Sequence, residues 1–182
     1  MRRTFFVALA AMLLAPEPQA AGLLSQEPLY TGVQIFYGPS DGFESVDIQL
    51  ISGARHSIDI AAYVLTDRAL IAALGRAAIR GVRVRVYLDG EEMGRNAPIL
   101  SVAEAPNLAV RLKARNRELM HLKSYQVDGR TLRTGSANFS VSGEVYQDND
   151  LIVIESPQAA ARFRETFERL WARPDNQRIG MR

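Results

Sequence analysis

Residues 120–140, MHLKSYQVDGRTLRTGSANFS, concentrate most of the chemistry this chain can offer. His121 and Lys123 stand two apart in a strand-like run over Met120 to Val127, so alternation points both side chains the same way. A histidine beside a lysine makes a small cationic platform suited to a phosphate oxygen. The lysine supplies a point charge, and the imidazole can serve as nucleophile or acid. Asp128-Gly129 predicts a tight turn that folds RTLRTGS back as the second strand of a hairpin. That return carries Ser136 and Asn138 toward the platform as neutral donors, and Gly135 permits a close backbone approach. With Lys123 they would hold non-bridging oxygens as charge builds on phosphorus. Asp128, at the turn, reads as a structural residue that pins the loop.

These residues need a scaffold, and the pattern predicts one. Gly32 to Pro39 reads as a strand ending in a turn, Gly42 to Ala54 as a helix with an imperfect apolar face, and Ser57 to Leu65 as a strand buried on both sides. Thr66 and Asp67 are candidate N-caps for a helix that ends at Gly81, and VRVRVYLDG follows as an alternating strand. Strand, helix, strand is a βαβ unit. A short helix near Ile99 to Ala103, a short strand LAVRLKA, a buried strand Asn149 to Ser156 and an amphipathic helix from Pro157 through Trp171 complete the pattern. The expectation is one α/β domain, a mixed and mostly buried sheet flanked by helices on both faces. It covers residues 22–174, and a polar tail at 175–182 is expected to fray.

Composition narrows the function. The 182 residues suit one domain, and 22 basic against 20 acidic residues leave a net charge of +2, so any affinity for an anionic partner must come from local charge. Absence of cysteine excludes disulfides, thiolate chemistry and cysteine-rich zinc sites. Two histidines argue against a multi-histidine metal centre, so no cofactor or metal is expected. Arg2, Arg3 and the apolar run Phe5 to Ala15 resemble an export signal over residues 1–21, with cleavage after Ala20 or Ala21. The chain would then be periplasmic or secreted, with no stable membrane insertion. The alternative is an uncleaved anchor.

The spacing His121-x-Lys123, four residues, Asp128, six residues, Gly135-Ser136-x-Asn138 resembles the HKD motif of the phospholipase D superfamily. The likeness extends from about Val33 to Trp171 and is similar to the small, single-motif bacterial endonucleases of that superfamily. It implies a metal-independent phosphodiesterase. A histidine attacks phosphorus to give a phosphohistidine, and a second histidine protonates the leaving oxygen and then activates water. It assigns His121 as nucleophile or acid, Lys123 and Asn138 to phosphate, Ser136 to support and Asp128 to structure. The family's histidine-orienting acid falls on Asn149, so Asp148 or Asp150 is expected to substitute.

One motif is half a site. His56, the other histidine, precedes a strand without a lysine two residues on, and reads as surface or structural. A two-fold homodimer that brings two copies of His121 together would supply both halves. Arg111, Lys113, Arg115 and Arg117 would form a basic strip along a nucleic-acid backbone if the strand persists through them. The leading expectation is therefore a nonspecific endonuclease acting on DNA, or RNA. The alternatives are a phospholipase D-type lipid phosphodiesterase and a non-catalytic nucleic-acid-binding protein. A wide basic groove favours the first and a narrow apolar mouth the second.

Overall fold

A computed structural model of the chain describes residues 32–115 and 118–180. The expected leader and Arg117 lie outside the described residues. Eight strands make one mixed sheet: β1 (Gly32–Tyr37), β2 (Ser57–Ala62), β3 (Arg83–Leu88), β4 (Leu108–Leu112), β5 (Lys123–Val127), β6 (Thr131–Gly135), β7 (Asp150–Glu155) and β8 (Gln177–Ile179). Their order is β1-β7-β6-β5-β2-β3-β4-β8. β2, β3 and β4 run parallel to one another, with Ile58 opposite Val84 and Val84 opposite Leu108. The other pairs are antiparallel.

The βαβ unit forms as the pattern predicts. The Asp67 carboxylate caps α2 (Arg68–Ile79) by accepting from the N–H groups of Ala69 and Leu70 at 2.7 and 3.0 Å. α1 (Phe43–Gly53) and α2 cover one face, where Ile51, Leu70, Leu74 and Ala77 pack with Ile58, Ile60, Val84 and Val86. α4 (Pro157–Trp171), capped by Ser156, covers the opposite face, where Phe163 and Phe167 pack against Ala61 and Tyr87. Arg85 fastens that helix, bonding Asp59 on β2 and Glu168 on α4, each at 2.6 Å.

Two expectations change. Within the expected tail, Gln177–Ile179 joins the edge of the sheet as β8, antiparallel to β4. The short helix starts earlier, as α3 (Met93–Asn96) running into a 3-10 turn over Ala97–Ser101. A further π-helical turn, Ser142–Tyr146, had no counterpart in the periodicity. The two faces are unequally covered. Val33, Ile35 and Tyr37 alternate along β1 toward the α4 side of the sheet and remain exposed. Among the described residues, no helix is long and apolar enough to cross a membrane.

Candidate active site

His121 sits just before β5 rather than in it, because the strand begins at Lys123. The Met120 N–H is taken by the buried Asp89 carboxylate at 2.6 Å instead of a ladder partner, while the Leu122 carbonyl accepts from the Tyr63 N–H at 2.9 Å. The histidine is thus presented from a pinned, extended segment, exposed to solvent. Its ring leans on Tyr63, centroids 4.6 Å apart and planes tilted by 55°. The Lys123 Nζ lies 3.2 Å from each ring nitrogen of His121 and donates to the His121 carbonyl at 3.1 Å. Burial lowers the Lys123 amino group from its ordinary value. A partly desolvated ammonium is a stronger electrostatic partner for an incoming phosphate oxygen than one in bulk water.

The Asp128 carboxylate accepts from three consecutive backbone N–H groups, Arg55, His56 and Ser57, at 2.7–2.9 Å. Burial acts to raise its pKa, but these bonds hold it below the usual range. It therefore fastens the hairpin turn to the start of β2 and does not face the histidine. His56 contributes its backbone N–H to that clasp.

Beyond β6 the chain crosses over. Gly135 has φ 144°, and a Cβ there would meet the Asp150 carbonyl at 2.3 Å, so only glycine permits this approach. The Ser136 hydroxyl donates to the Asn149 side-chain oxygen at 3.1 Å and accepts from the Asp150 N–H at 2.9 Å. Phe139 bridges to Leu65, and its N–H donates to the Val64 carbonyl, next to Tyr63. The Asn138 side-chain oxygen is buried and meets no donor.

Neither proposed orienting acid bonds His121. The Asp150 carboxylate accepts from the Ser136 N–H at 2.9 Å, and bonding to Ser136 holds it low against a smaller effect of burial. Asp148 is exposed. The register explains this: β6 lies between β5 and β7, with Gly135 opposite Leu151, so Ser136 intercepts the carboxylate. Among its described members, Arg111, Lys113 and Arg115, the basic strip does not continue along a strand, because β4 stops at Leu112. Arg111 stacks on Trp171 at 4.4 Å and donates to its carbonyl; Lys113 is buried and donates to the Glu118 carbonyl at 2.5 Å. Arg115 is exposed and donates to the Gly90 carbonyl at 3.3 Å.

Residues outside the motif do much of the positioning. Arg133 and Asp47, both with fully buried side chains, form a two-point ion pair at 2.8 and 3.0 Å. Arg133 also donates to the carbonyls of Lys123 and Ala137, at 3.0 and 3.3 Å, joining the two arms of the motif through one guanidinium. The Tyr63 phenol donates to Glu92 at 2.9 Å, and that bond raises its pKa. The interruption that Asp47 makes in the apolar face of α1 was the visible signal for the first pair; Tyr63 lies in a run too apolar to give one. Tyr63→Ala is expected to lower kcat by up to about 100-fold through misplacement of His121, with Tyr63→Phe near wild type; steady-state kinetics of both variants provide the check.

Beside His121 a groove of about 360 Å³ runs between residues 118–122 and α4, lined by Leu119, Met120, Leu122, Leu170, Thr166 and Arg173. Among the described residues one carboxylate cluster, Glu44, Asp67 and Glu144, is close-set enough to hold a metal ion, and it contains no motif residue.

The family model described as "Cardiolipin synthase, PLD-like domain" matches residues 48–171. The chain is 26% identical over 174 residues to a mitochondrial cardiolipin hydrolase of Danio rerio, covering 92% of this chain and 74% of the relative. With the mitochondrial cardiolipin hydrolase of Xenopus laevis it shares 28% identity over 133 residues, covering 73% of this chain and 62% of the relative. The fold superposes on the phospholipase D family member Nuc of Salmonella typhimurium with a TM-score of 0.75 and 25% identity, over 82% of this chain and 99% of that one. The motif, the mixed sheet and the match over most of its length together place this chain in the phospholipase D superfamily.

Proposed function

We propose that this chain is a phosphodiesterase whose preferred substrate is an anionic phospholipid. The observation that carries the substrate class is the groove at His121. Its walls include the apolar side chains Leu119, Met120, Leu122 and Leu170; its charged members are Arg173, Glu118 and Lys113, the last buried with its ammonium on the Glu118 carbonyl. An acyl chain gains roughly 25 cal/mol per Å² of apolar surface buried there, with the phosphate drawn toward Lys123. Leu119, Val141, Val145 and Tyr146, on the segments that flank the motif, are also exposed and apolar. The cardiolipin hydrolases to which the chain is similar agree with this reading. Nucleic acid, the leading expectation from sequence, becomes the second reading. The exposed Arg115 and the groove's Arg173 favour it, but Arg111 and Lys113, which that reading relied on, are turned to Trp171 and Glu118.

In this mechanism an imidazole nitrogen of one His121 attacks phosphorus. A P–N bond forms, the P–O bond to the alcohol breaks, and His121 of a second copy protonates the departing oxygen. That same histidine then takes a proton from water, which attacks phosphorus and expels the first imidazole. Lys123 and Asn138 would hold the non-bridging oxygens, while Ser136, bonded to Asn149 and Asp150, supports the crossing that presents Asn138. Two observations support the second copy. The motif contains a single histidine, and the exposed Val33, Ile35 and Tyr37 on the thinly covered face offer apolar surface to a partner. No step in this scheme passes through a metal.

The test incubates purified protein in chelator with vesicles of cardiolipin or phosphatidylcholine, plasmid DNA and RNA, at a temperature where circular dichroism shows the fold intact. Lipid hydrolysis with intact nucleic acid is the expected result. Nucleic-acid cleavage with untouched lipid reverses the substrate order. Loss of all turnover on chelation, with the fold retained, rejects the metal-free mechanism.

A further inference from the structure

Glu144 is buried in a way its chemistry does not explain. It is 1% exposed, and neither of its carboxylate oxygens meets a donor. Asp67, also 1% exposed, spends one oxygen on capping α2, and its other oxygen meets none. Glu44, in the first turn of α1, completes a trio whose oxygens lie within 4.8 Å of one another. Burial, with the charges of Asp47 and Asp67, pushes Glu144 up to about 9; burial and Asp67 raise Glu44. The neighbouring buried cation, Arg133, donates to Asp47 and to two carbonyls, so it offers Glu144 no hydrogen bond, and its charge only partly offsets the rise. Two buried carboxylates beside a third need compensation, by protonation or by a cation.

A divalent cation with a preference for oxygen supplies that compensation. Calcium binds oxygens at about 2.3–2.6 Å, so two ligands on opposite sides of one ion stand no more than about 5 Å apart, which matches this trio. Magnesium prefers shorter bonds and gives up its waters reluctantly, which suits two fully buried carboxylates less well. We propose that Glu44, Asp67 and Glu144 form a calcium-class cation site that clamps the starts of α1 and α2 to the Ser142–Tyr146 turn. The clamp reaches the motif by a short path: the Glu144 N–H donates to the Ser140 carbonyl at 2.9 Å, and the Ser140 N–H donates to the Asn138 carbonyl at 2.8 Å. The burial of Asp67 and Glu144 keeps such an ion from substrate, so its role is structural and independent of the reaction proposed above.

The test uses the full chain, stripped with chelator and dialysed. Calorimetric titration with calcium chloride is expected to show one ion per chain. At calcium about 100 times Kd, Tm should rise by about 5–10 °C. Magnesium should bind at least about tenfold more weakly. Glu144→Gln and Glu44→Gln should each weaken calcium binding at least about tenfold while keeping the wild-type circular dichroism spectrum. Glu44 is only half-buried, so its variant decides the matter even if Glu144→Gln does not fold. Absence of heat and of any Tm shift in the wild type, or an undiminished response in Glu44→Gln, overturns the site.

Discussion

His121→Ala is expected to lower kcat by about 10,000-fold or more, with substrate binding retained. In the proposed mechanism the side chain acts twice, as nucleophile in one copy and as proton donor in the other, and nothing nearby can replace it. His56 lies just before β2, at the end of that strand paired with Val127 and opposite to the end paired with Lys123, so its ring is remote from the site. Lys123 is a buried ammonium that donates to a carbonyl. A mixing experiment makes the shared site measurable. If each dimer needs both histidines, co-refolding equal amounts of variant and wild type leaves about one quarter of full activity, because only wild-type pairs work. If each chain works alone, about half remains. A linear fall with the fraction of wild type would reject the shared site while leaving His121 catalytic.

The second large effect concerns folding. Asp47→Ala is expected to destabilise the protein by about 3–5 kcal/mol, since breaking a buried pair strands its partner. Arg133 would keep only two carbonyl acceptors for a fully buried guanidinium, and the Tyr125 hydroxyl, now 2.7 Å from Asp47, would lose its acceptor. Against a typical total of about 5–15 kcal/mol, that loss is large. Asp47→Leu combined with Arg133→Met should recover much of it, because apolar replacements of similar volume remove the stranded charge. Urea unfolding of the three proteins reads this directly. Recovered stability without recovered activity in the double variant would show that Arg133 also positions Lys123 and Ala137.

Periodicity carried most of the scaffold into view. The alternation of VRVRVYLDG, the Asp67 cap and the Pro157 start correspond to β3, α2 and α4. These are local properties, set by residues a few positions apart. The π-helical turn at Ser142–Tyr146 and the strand Gln177–Ile179 were missed for the same reason. The first has no regular apolar period, and the second is three residues held by β4 across the sheet edge. The basic strip extended alternation past Leu112, where the chain leaves the sheet and Lys113 turns inward.

By itself, the sequence determined the motif, the glycine at 135 and the single-histidine arithmetic that asks for a second copy, since each is a matter of residue type and spacing. Tertiary structure alone decided which carboxylate goes where. Asp150 is claimed by Ser136, Asp47 by Arg133, Asp89 by the Met120 N–H, and Glu144 by no donor among the described residues. It also placed Tyr63 against His121 and opened an apolar groove there in place of the expected basic track. The physical reason is that the partner of a buried polar group is chosen by sheet register and strand order. Those bring together residues as far apart as Asp47 and Arg133, a separation that no local pattern records.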